Sequence, residues 1–538
     1  MSCFGYRVME VEIKPPGEIK DDVVICNFRA LHEERRPIVA SSLGCHFVGA
    51  AHPHPDPACP ETLRAGVEKR FCMKPPAHCP LKRRRFRRFV EKWVRKNLVP
   101  LSPTSDTSIE TWLLSTSYSE ARKEELRRKW AKVVDPKDPL YGIVKSFMKD
   151  ETYNQEYKHA RAINSRTDEF KCAVGPIFRL IEKEVFALDW FIKKVPIHLR
   201  PATIYRKLGH ATKFYTTDHT AYEAHFTRAM MEDCEFVLYD YMTSYLPAGG
   251  DFMWLLRNCI AGRNRCVFKF FDVYIDATRM SGEMNTSLGN GFSNLMSMLF
   301  TCEELGAYEV VGFVEGDDGI FAICMKCGAK FPTEQEWIDE FAKLGFTLKL
   351  EVHEKLSTAS FCGLVFDEED QLNVTDPMAE LLSFGWTSSR YANSSVRRKM
   401  ELLKCKAISL AYQYPGCPIL ASLAKYGLRV TKKYKAKLGH TSEWLKMQFL
   451  EAKMHGKGLF VEPPPRTRML VEKLYGISVE SQIKIEKELD EKEDCSPIIS
   501  ESALVYAKHP SRHYWHNYVH PVRKGTNTED FFRFITVP

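Results

Sequence analysis

The sequence predicts an α+β fold, and three stretches carry that expectation. Residues 206–366 alternate short apolar runs with glycine turns and amphipathic segments, residues 101–205 are dominated by helical patterns such as EARKEELRRKW, and beyond 376 the chain is again largely helical. At 538 residues, 44% apolar and 27% charged, the chain can bury a large core divided among several domain-sized units.

Charge and cysteine usage narrow the setting. Lys and Arg number 77 against 69 Asp and Glu, a surplus of +8 that permits a nucleic-acid partner without requiring one. The 17 cysteines are odd in number and irregularly spaced, which predicts reduced, mostly buried thiols. Met1–Lys14 mixes charged with apolar residues, unlike a signal peptide. The longest uncharged run, Met284–Cys302, contains Asn285, Thr286, Gly289, Asn290, Gly291, Ser293 and Asn294 and is too polar to span a bilayer. No GxxxxGK[ST] loop occurs, so helicase-type NTP hydrolysis has no support.

In chain order, the N-terminal stretch is rich in Pro, His and Cys (for example HPHPDPACP, 52–60) and shows little periodicity, which predicts an irregular extension. Lys82-Arg83-Arg84-Arg85-Phe86-Arg87-Arg88 then opens a basic helix with Phe86, Phe89, Val90, Trp93 and Val94 on one face; its cations are either solvated or set against RNA phosphates. A strand is expected near 212–217, a helix near 224–244, a glycine-rich turn at 281–291 opening a second helix, and a hairpin near 309–323. A helix near 334–344 follows, then strands near 346–351 and 360–366. The charged run 484–494 predicts a solvated helix or linker, and 508–538 an aromatic, basic, irregular tail.

Chemistry concentrates at Val310–Ile323, where two β-rich arms flank Gly316-Asp317-Asp318-Gly319. Adjacent carboxylates at a tight turn repel one another unless a hard divalent cation sits between them. Upstream, Phe214–Asp218 is a strand ending in an acid, with Glu223 five positions on at the start of a helix. Between these lies Ser281-Gly282-x3-Thr286-x3-Asn290. The succession strand-Asp, Ser-Gly-x3-Thr-x3-Asn, Gly-Asp-Asp resembles the palm of viral RNA-dependent RNA polymerases, most closely those of the tombusvirus-like and flavivirus-like positive-strand viruses. Lys149-Asp150-Glu151 and Lys158–Ile163 with Arg166 resemble the basic fingers segment of that family. Leu344–Glu351 and Ser360–Leu364 resemble its later palm elements, and Ser117-Tyr118 the motif where template enters. The likeness spans about 115–366.

The resemblance implies a right hand: an N-terminal extension at 1–84, fingers at 85–205 with an insertion at 226–280, a palm of antiparallel strands and helices at 206–225 and 281–375, and a helical thumb with a C-terminal tail at 376–538. It implies template-directed RNA synthesis by in-line attack of a 3′-hydroxyl on an α-phosphorus, helped by two metal ions about 3.5–4 Å apart. Asp218 and Asp317 would bridge Mg2+ (with Mn2+ as a substitute), and Asp318 would support them. Lys158, Arg161 and Arg166 would meet the triphosphate, since phosphoryl transfer needs charge neutralisation and positioning above all. Glu223, Ser281, Thr286 and Asn290 would recognise the ribose through its 2′-hydroxyl; the family usually has Asp at the place of Glu223, and reverse transcriptases a bulky aromatic. Lys149, Gly282 and Ser117 would touch RNA. Lys349 is the first candidate for protonating pyrophosphate, with Lys355 and His353 as alternatives. The implied partners are template and product RNA, ribonucleoside triphosphates and other viral replication proteins, with membranes reached only through partners. The implied location is the host cytoplasm at membrane-associated replication complexes. The acid at 223 and the Gly-Asp-Asp turn oppose a reverse transcriptase, and the three intact aspartates oppose a non-catalytic RNA-binding palm. Cys324-x-x-Cys327 reads as a reduced loop, and His52, His54, Cys59, Cys72, His78 and Cys79 match no metal-binding spacing.

Overall fold

The structure, a computed structural model, describes residues 4–8, 13–29, 37–132, 139–155, 158–326, 328–437, 443–455 and 460–523. Its fold is mixed α+β, as expected, and among the described residues its strands form three small sheets. In chain order the strands are β1 (Phe4–Val8), β2 (Val24–Cys26), β3 (Ala40–Ser42), β4 (Ile143–Met148), β5 (Ala162–Arg166), β6 (Phe214–His219), β7 (Arg263–Val267), β8 (Asp272–Asp276), β9 (Ala307–Glu315), β10 (Asp318–Met325), β11 (Leu348–His353), β12 (Trp386–Ser388) and β13 (Val519–Arg523).

The central sheet has the order β11-β6-β10-β9 and is antiparallel throughout. The helices Thr286–Glu304 and Glu334–Leu344 belong to the same layered core, which gathers Leu288, Phe292, Leu295, Trp337 and Phe341 with Val314 and Phe321 of the hairpin arms. Glu334–Leu344 starts on a capping box from Thr333 and Glu336 and stops at Gly345 in the left-handed region (φ +96°), so its predicted limits hold. A second sheet, β2-β8-β7-β4-β5, contains one parallel pair, β4 with β7. The third joins both ends of the chain, with β1 paired to β13 and to β3, and β3 to β12.

Several expectations need correction. Residues 1–84 are not an irregular extension: they contribute β1–β3 and the helix Pro60–Arg70. Phe47 and its neighbours enter the core of the C-terminal helices, whereas Leu63, Val67 and Phe71 enter that of the second sheet. β4 and β5 fall in a stretch read as helical; β5 pairs with β4, and β4 takes its second partner, β7, from far along the chain, a pairing that leaves no local signature. The helix expected at 224–244 is broken: Thr227 caps a new start by accepting from the Met230 N–H, and the backbone turns again at Cys234. In place of a strand at 360–366, Phe361 and Leu364 bridge across a tight turn whose Cys362 and Gly363 both have positive φ. The tail forms the helix His509–Tyr518 and β13, and residues 524–538 lie outside the described residues. The run 484–494 largely falls in the helix Val479–Glu491.

The basic helix spans Pro80–Asn97 and buries Phe86, Val90 and Val94. Its charges are largely spent on protein acids: Lys82 pairs with Glu304 and Glu340, Arg83 with Asp233, Arg85 with Glu304, and Arg87 with Glu91. Lys82, Arg83 and Arg85 thereby fasten the helix to its neighbours, while Arg84 and Arg88 are exposed.

A wholly buried ion pair knits the core. Arg279 Nη2 donates to Glu235 Oε1 at 2.8 Å, and both side chains are fully excluded from solvent. Tyr239 and Asn285 donate to Glu235 Oε2 at 3.0 and 3.2 Å, and the guanidinium stacks over Phe226 at 4.1 Å. A Cβ at Gly289 would stand 2.3 Å from Glu235 Oε2, so only glycine fits that turn of the helix. Removing one partner strands a buried charge. Glu235→Ala is therefore expected to cost about 3–5 kcal/mol, read as a lower urea midpoint, and a second change, Arg279→Met, should recover most of the loss.

Candidate active site

The site begins with strand register. β6 is buried from Phe214 through Thr217, and Asp218 is exposed near its end. On one side Lys349 of β11 stands directly opposite Asp218. On the other, Gly319 of β10 stands opposite Thr217, so one further step along the same antiparallel register brings Asp218 level with Asp318. The β9–β10 connection is a two-residue turn, Gly316-Asp317, closed by the pairing of Glu315 with Asp318. Gly316 has φ +62°, which suits glycine at the first turn position. Gly319 serves differently: it lies in the strand with ordinary φ, and a Cβ there would meet Thr217 Oγ1 at 2.6 Å. From the helix behind, Asn294 Nδ2 donates to the carbonyls of Gly316 and Asp317 at 3.3 and 3.0 Å, fixing the turn.

These contacts draw together the three aspartates from two parts of the chain. The half-buried Asp318 carboxyl is pushed up to about 7, first by burial and then by the charges of Asp317, Asp218 and Glu315. Glu315 is balanced by Arg200 at 2.8 Å. Asp218 accepts from the His219 N–H at 2.8 Å, and its other oxygen lies 3.5 Å from Lys349 Nζ. Among the described residues no three His, Cys, Asp or Glu side chains enclose a ready-made metal cage. The donor set nonetheless fits a hard divalent cation: all-oxygen ligands, mutually repelling, with a carboxyl whose ionised form needs a nearby positive charge.

A basic wall faces the acids. Arg161 lies 3.5 Å from Glu151, and the carboxylates of Glu151, Glu223 and Asp317 raise its pKa against the lowering effect of burial. Lys158 is lowered by burial and by the neighbouring Arg70 and Arg161, with Glu151 and Asp218 opposing. The loop carrying both is tied down: the Arg161 N–H donates to Tyr153 Oη and the Lys149 N–H to the Arg161 carbonyl, each at 2.8 Å. Lys158 also lies over the Tyr153 ring. The Lys149 ammonium is engaged by Glu151 at 2.7 Å.

Arg166 does not join this wall. It is buried, its Nε pairs with Glu283, and its terminal nitrogens donate to the Tyr141 carbonyl and to Asn264 at 3.1 and 2.6 Å. With its side chain excluded from solvent and each nitrogen already bonded inside the protein, it is not placed to meet a triphosphate. The expectation failed because a basic residue in the right segment sits on the inward face of β5.

The Ser281–Asn290 segment is anchored to the same strand end. The Asn164 N–H donates to the Ser281 carbonyl at 2.7 Å, and Gly282 adopts φ +122°, a left-handed conformation. The Thr286 hydroxyl accepts from the Gly282 N–H at 3.2 Å and lies 3.0 Å from the Glu283 carbonyl, so its visible work is to shape the turn. Asn290 Oδ1 accepts from Arg279 at 2.9 Å, which orients its amide, and its carbonyl accepts from the Tyr222 hydroxyl at 3.3 Å. Glu223 pairs with Arg70 at 3.0 Å. Ser117 is exposed, and its carbonyl accepts from Lys446 at 3.5 Å. His353 is held between Thr216 and Thr358 at 3.2 and 3.1 Å, leaving Lys349 the more accessible of those two.

Outside the site, His52 meets the Ala379 carbonyl at 2.9 Å and His54 meets Asp150 at 3.0 Å, while Cys59 caps a helix. Cys324 is exposed, and Cys327 lies outside the described residues. Two contributors escaped the sequence reading. Asn294 had a usable signal, four residues after Asn290 and so on the same helix face. Arg70 had none. Asn294→Ala should leave the fold intact but lower the turnover number about tenfold, measured by single-turnover nucleotide addition, because the acid-bearing turn loses both side-chain tethers.

Residues 255–494 match a protein family described as viral RNA-dependent RNA polymerase. That span includes the Ser281–Asn290 segment, Asp317, Asp318 and Lys349, and begins after Asp218 and Glu223. No curated protein matches the chain. Over residues 255–494 the chain carries a domain of the viral RNA-dependent RNA polymerase family, in the tombusvirus-like and flavivirus-like supergroup.

Proposed function

We propose that the chain copies an RNA template from ribonucleoside triphosphates by two-metal-ion nucleotidyl transfer, replicating a viral genome. The observation that carries this reading is the β6–β10 register, which sets Asp218 beside Asp318 and next to the Asp317 turn. Asp218 and Asp317, supported by Asp318, would hold magnesium or manganese, which when bound supplies Lewis-acid stabilisation of the attacking and leaving oxygens. Lys158 and Arg161 meet the triphosphate from the opposite wall and neutralise its charge. Lys349 delivers a proton to the departing pyrophosphate. Glu223 and Asn290 receive the ribose, with Ser281 and Thr286 shaping the turn between them. Lys149, Gly282 and Ser117 guide RNA.

In a right-hand arrangement, the central sheet with helices Thr286–Glu304 and Glu334–Leu344 is the palm, the second sheet and its helices are the fingers, and the helices from 376 onward are the thumb. Among the described residues no helix is long and apolar enough to cross a membrane. A cytoplasmic replication complex, with membrane contact through other viral proteins, is consistent with that.

Incorporation of labelled ribonucleotides on an RNA template with magnesium tests the reading. Asp317→Asn should abolish measurable incorporation while RNA binding persists and weakens steeply with added salt. Activity that survives the change would remove the two-metal assignment.

A further inference from the structure

Glu223 is held from outside the central sheet. The Nε of Arg70, at the last position of the helix Pro60–Arg70, donates to Glu223 Oε1 at 3.0 Å across a sequence separation of 153, and both side chains are mostly buried. A second link runs beside it: the Thr278 hydroxyl lies 2.9 Å from the carbonyl of Phe71 and 3.1 Å from that of Glu223. A third fixes the backbone, where the Arg279 N–H donates to the Glu223 carbonyl at 3.0 Å. The helix carrying Arg70 also presses on the basic loop. A Cβ on Gly66 would come within 2.4 Å of the Ala160 carbonyl oxygen, between Lys158 and Arg161.

We propose that Arg70 is a positioning residue for ribose selection: by holding Glu223 Oε1 it directs Oε2 to accept a hydrogen bond from the 2′-hydroxyl of the incoming nucleotide. The inference rests on the reading of Glu223 as the ribose partner. Its physical basis is conformational. Glutamate has one more rotatable bond than aspartate, and freezing such a bond in a ligand-ready geometry costs entropy unless another group has already fixed it. A charge-assisted bond to a guanidinium is strong enough to do so. The same bond leaves one carboxylate oxygen uncommitted, and a hydroxyl donor is what that oxygen accepts. The N-terminal segment thereby shapes substrate choice as well as fold.

The test is single-nucleotide addition of CTP and of 2′-deoxy-CTP to an RNA primer–template in magnesium, for Arg70→Met, Arg70→Lys, Glu223→Ala and the Arg70→Met/Glu223→Ala pair. Arg70→Met should lower the CTP over 2′-deoxy-CTP ratio of kcat/KM about tenfold, through a raised KM for CTP. Arg70→Lys should recover part of that ratio, and the double variant should be no worse than Glu223→Ala alone. If Arg70→Met fails to fold, Arg70→Gln, which keeps an amide donor, carries the same comparison against Glu223→Ala. A fall with Glu223→Ala but none with Arg70→Met defeats the role given to Arg70 and leaves Glu223 as the selector. An unchanged ratio in Glu223→Ala defeats the underlying ribose reading. Equal losses for both nucleotides in Arg70→Met overturn the proposal in favour of a phosphate contact or a purely structural role.

Discussion

Two antiparallel pairings of β6, with β10 on one side and β11 on the other, impose the constraint on which the site depends. They fix Asp218 beside Asp318 and opposite Lys349, and everything else near the site either tolerates or offsets the resulting crowd of negative charge. The cost is real: two like charges 4 Å apart repel by about 4 kcal/mol at an effective dielectric near 20. Apolar packing meets it. Val314, Ile320 and Phe321 are buried in the arms of the hairpin, and Asn294 ties down the turn itself. A rigid frame therefore holds carboxylates that would move apart in a loose loop, and burial first, then the neighbouring acids, push the Asp318 carboxyl toward neutrality. Under the proposed mechanism a cation joining the acids would offset both effects, which links the packing to the chemistry.

Cations are divided by depth. Arg166 and Arg279 are buried, each matched to a buried glutamate, and they build the scaffold behind the site. Lys158 and Arg161 stand nearer solvent with carboxylates around them, where the proposed triphosphate would need their charge. The densest basic run in the chain, 82–88, belongs with the scaffold, since Glu304, Glu340 and Asp233 absorb much of its charge.

This division explains what could be read from the chain alone. The acid-bearing strand, the hairpin, the Thr286 helix and the Glu334 helix were legible because each writes its own local pattern: a strand ending in an acid, β-rich arms about a glycine turn, a glycine-rich turn opening a helix, and a helical run. The three aspartates followed from the order of those elements. Arg166 was misjudged because segment identity does not say which way a strand residue points, and a one-residue difference on β5 separates a channel cation from a buried one. β4 and β5 were lost in a helical reading because β4 is set by its parallel pairing with the distant β7 and β5 is paired onto β4. The break at Thr227 was available as a capping signal, yet a continuous apolar pattern concealed it.

The N-terminal segment shows the same limit more sharply. Its proline- and histidine-rich sequence lacks periodicity, yet β1 pairs with β13 at the far end of the chain, Phe47 enters the C-terminal core, and Arg70 reaches Glu223. None of these contacts has a local signature, because each is specified by a partner hundreds of residues away or in another sheet. Contacts of that range carry the largest loop-closure cost and form late unless other elements are already in place. Through Arg70 and the Phe71 carbonyl, the geometry around Glu223 therefore depends on residues outside the polymerase motifs.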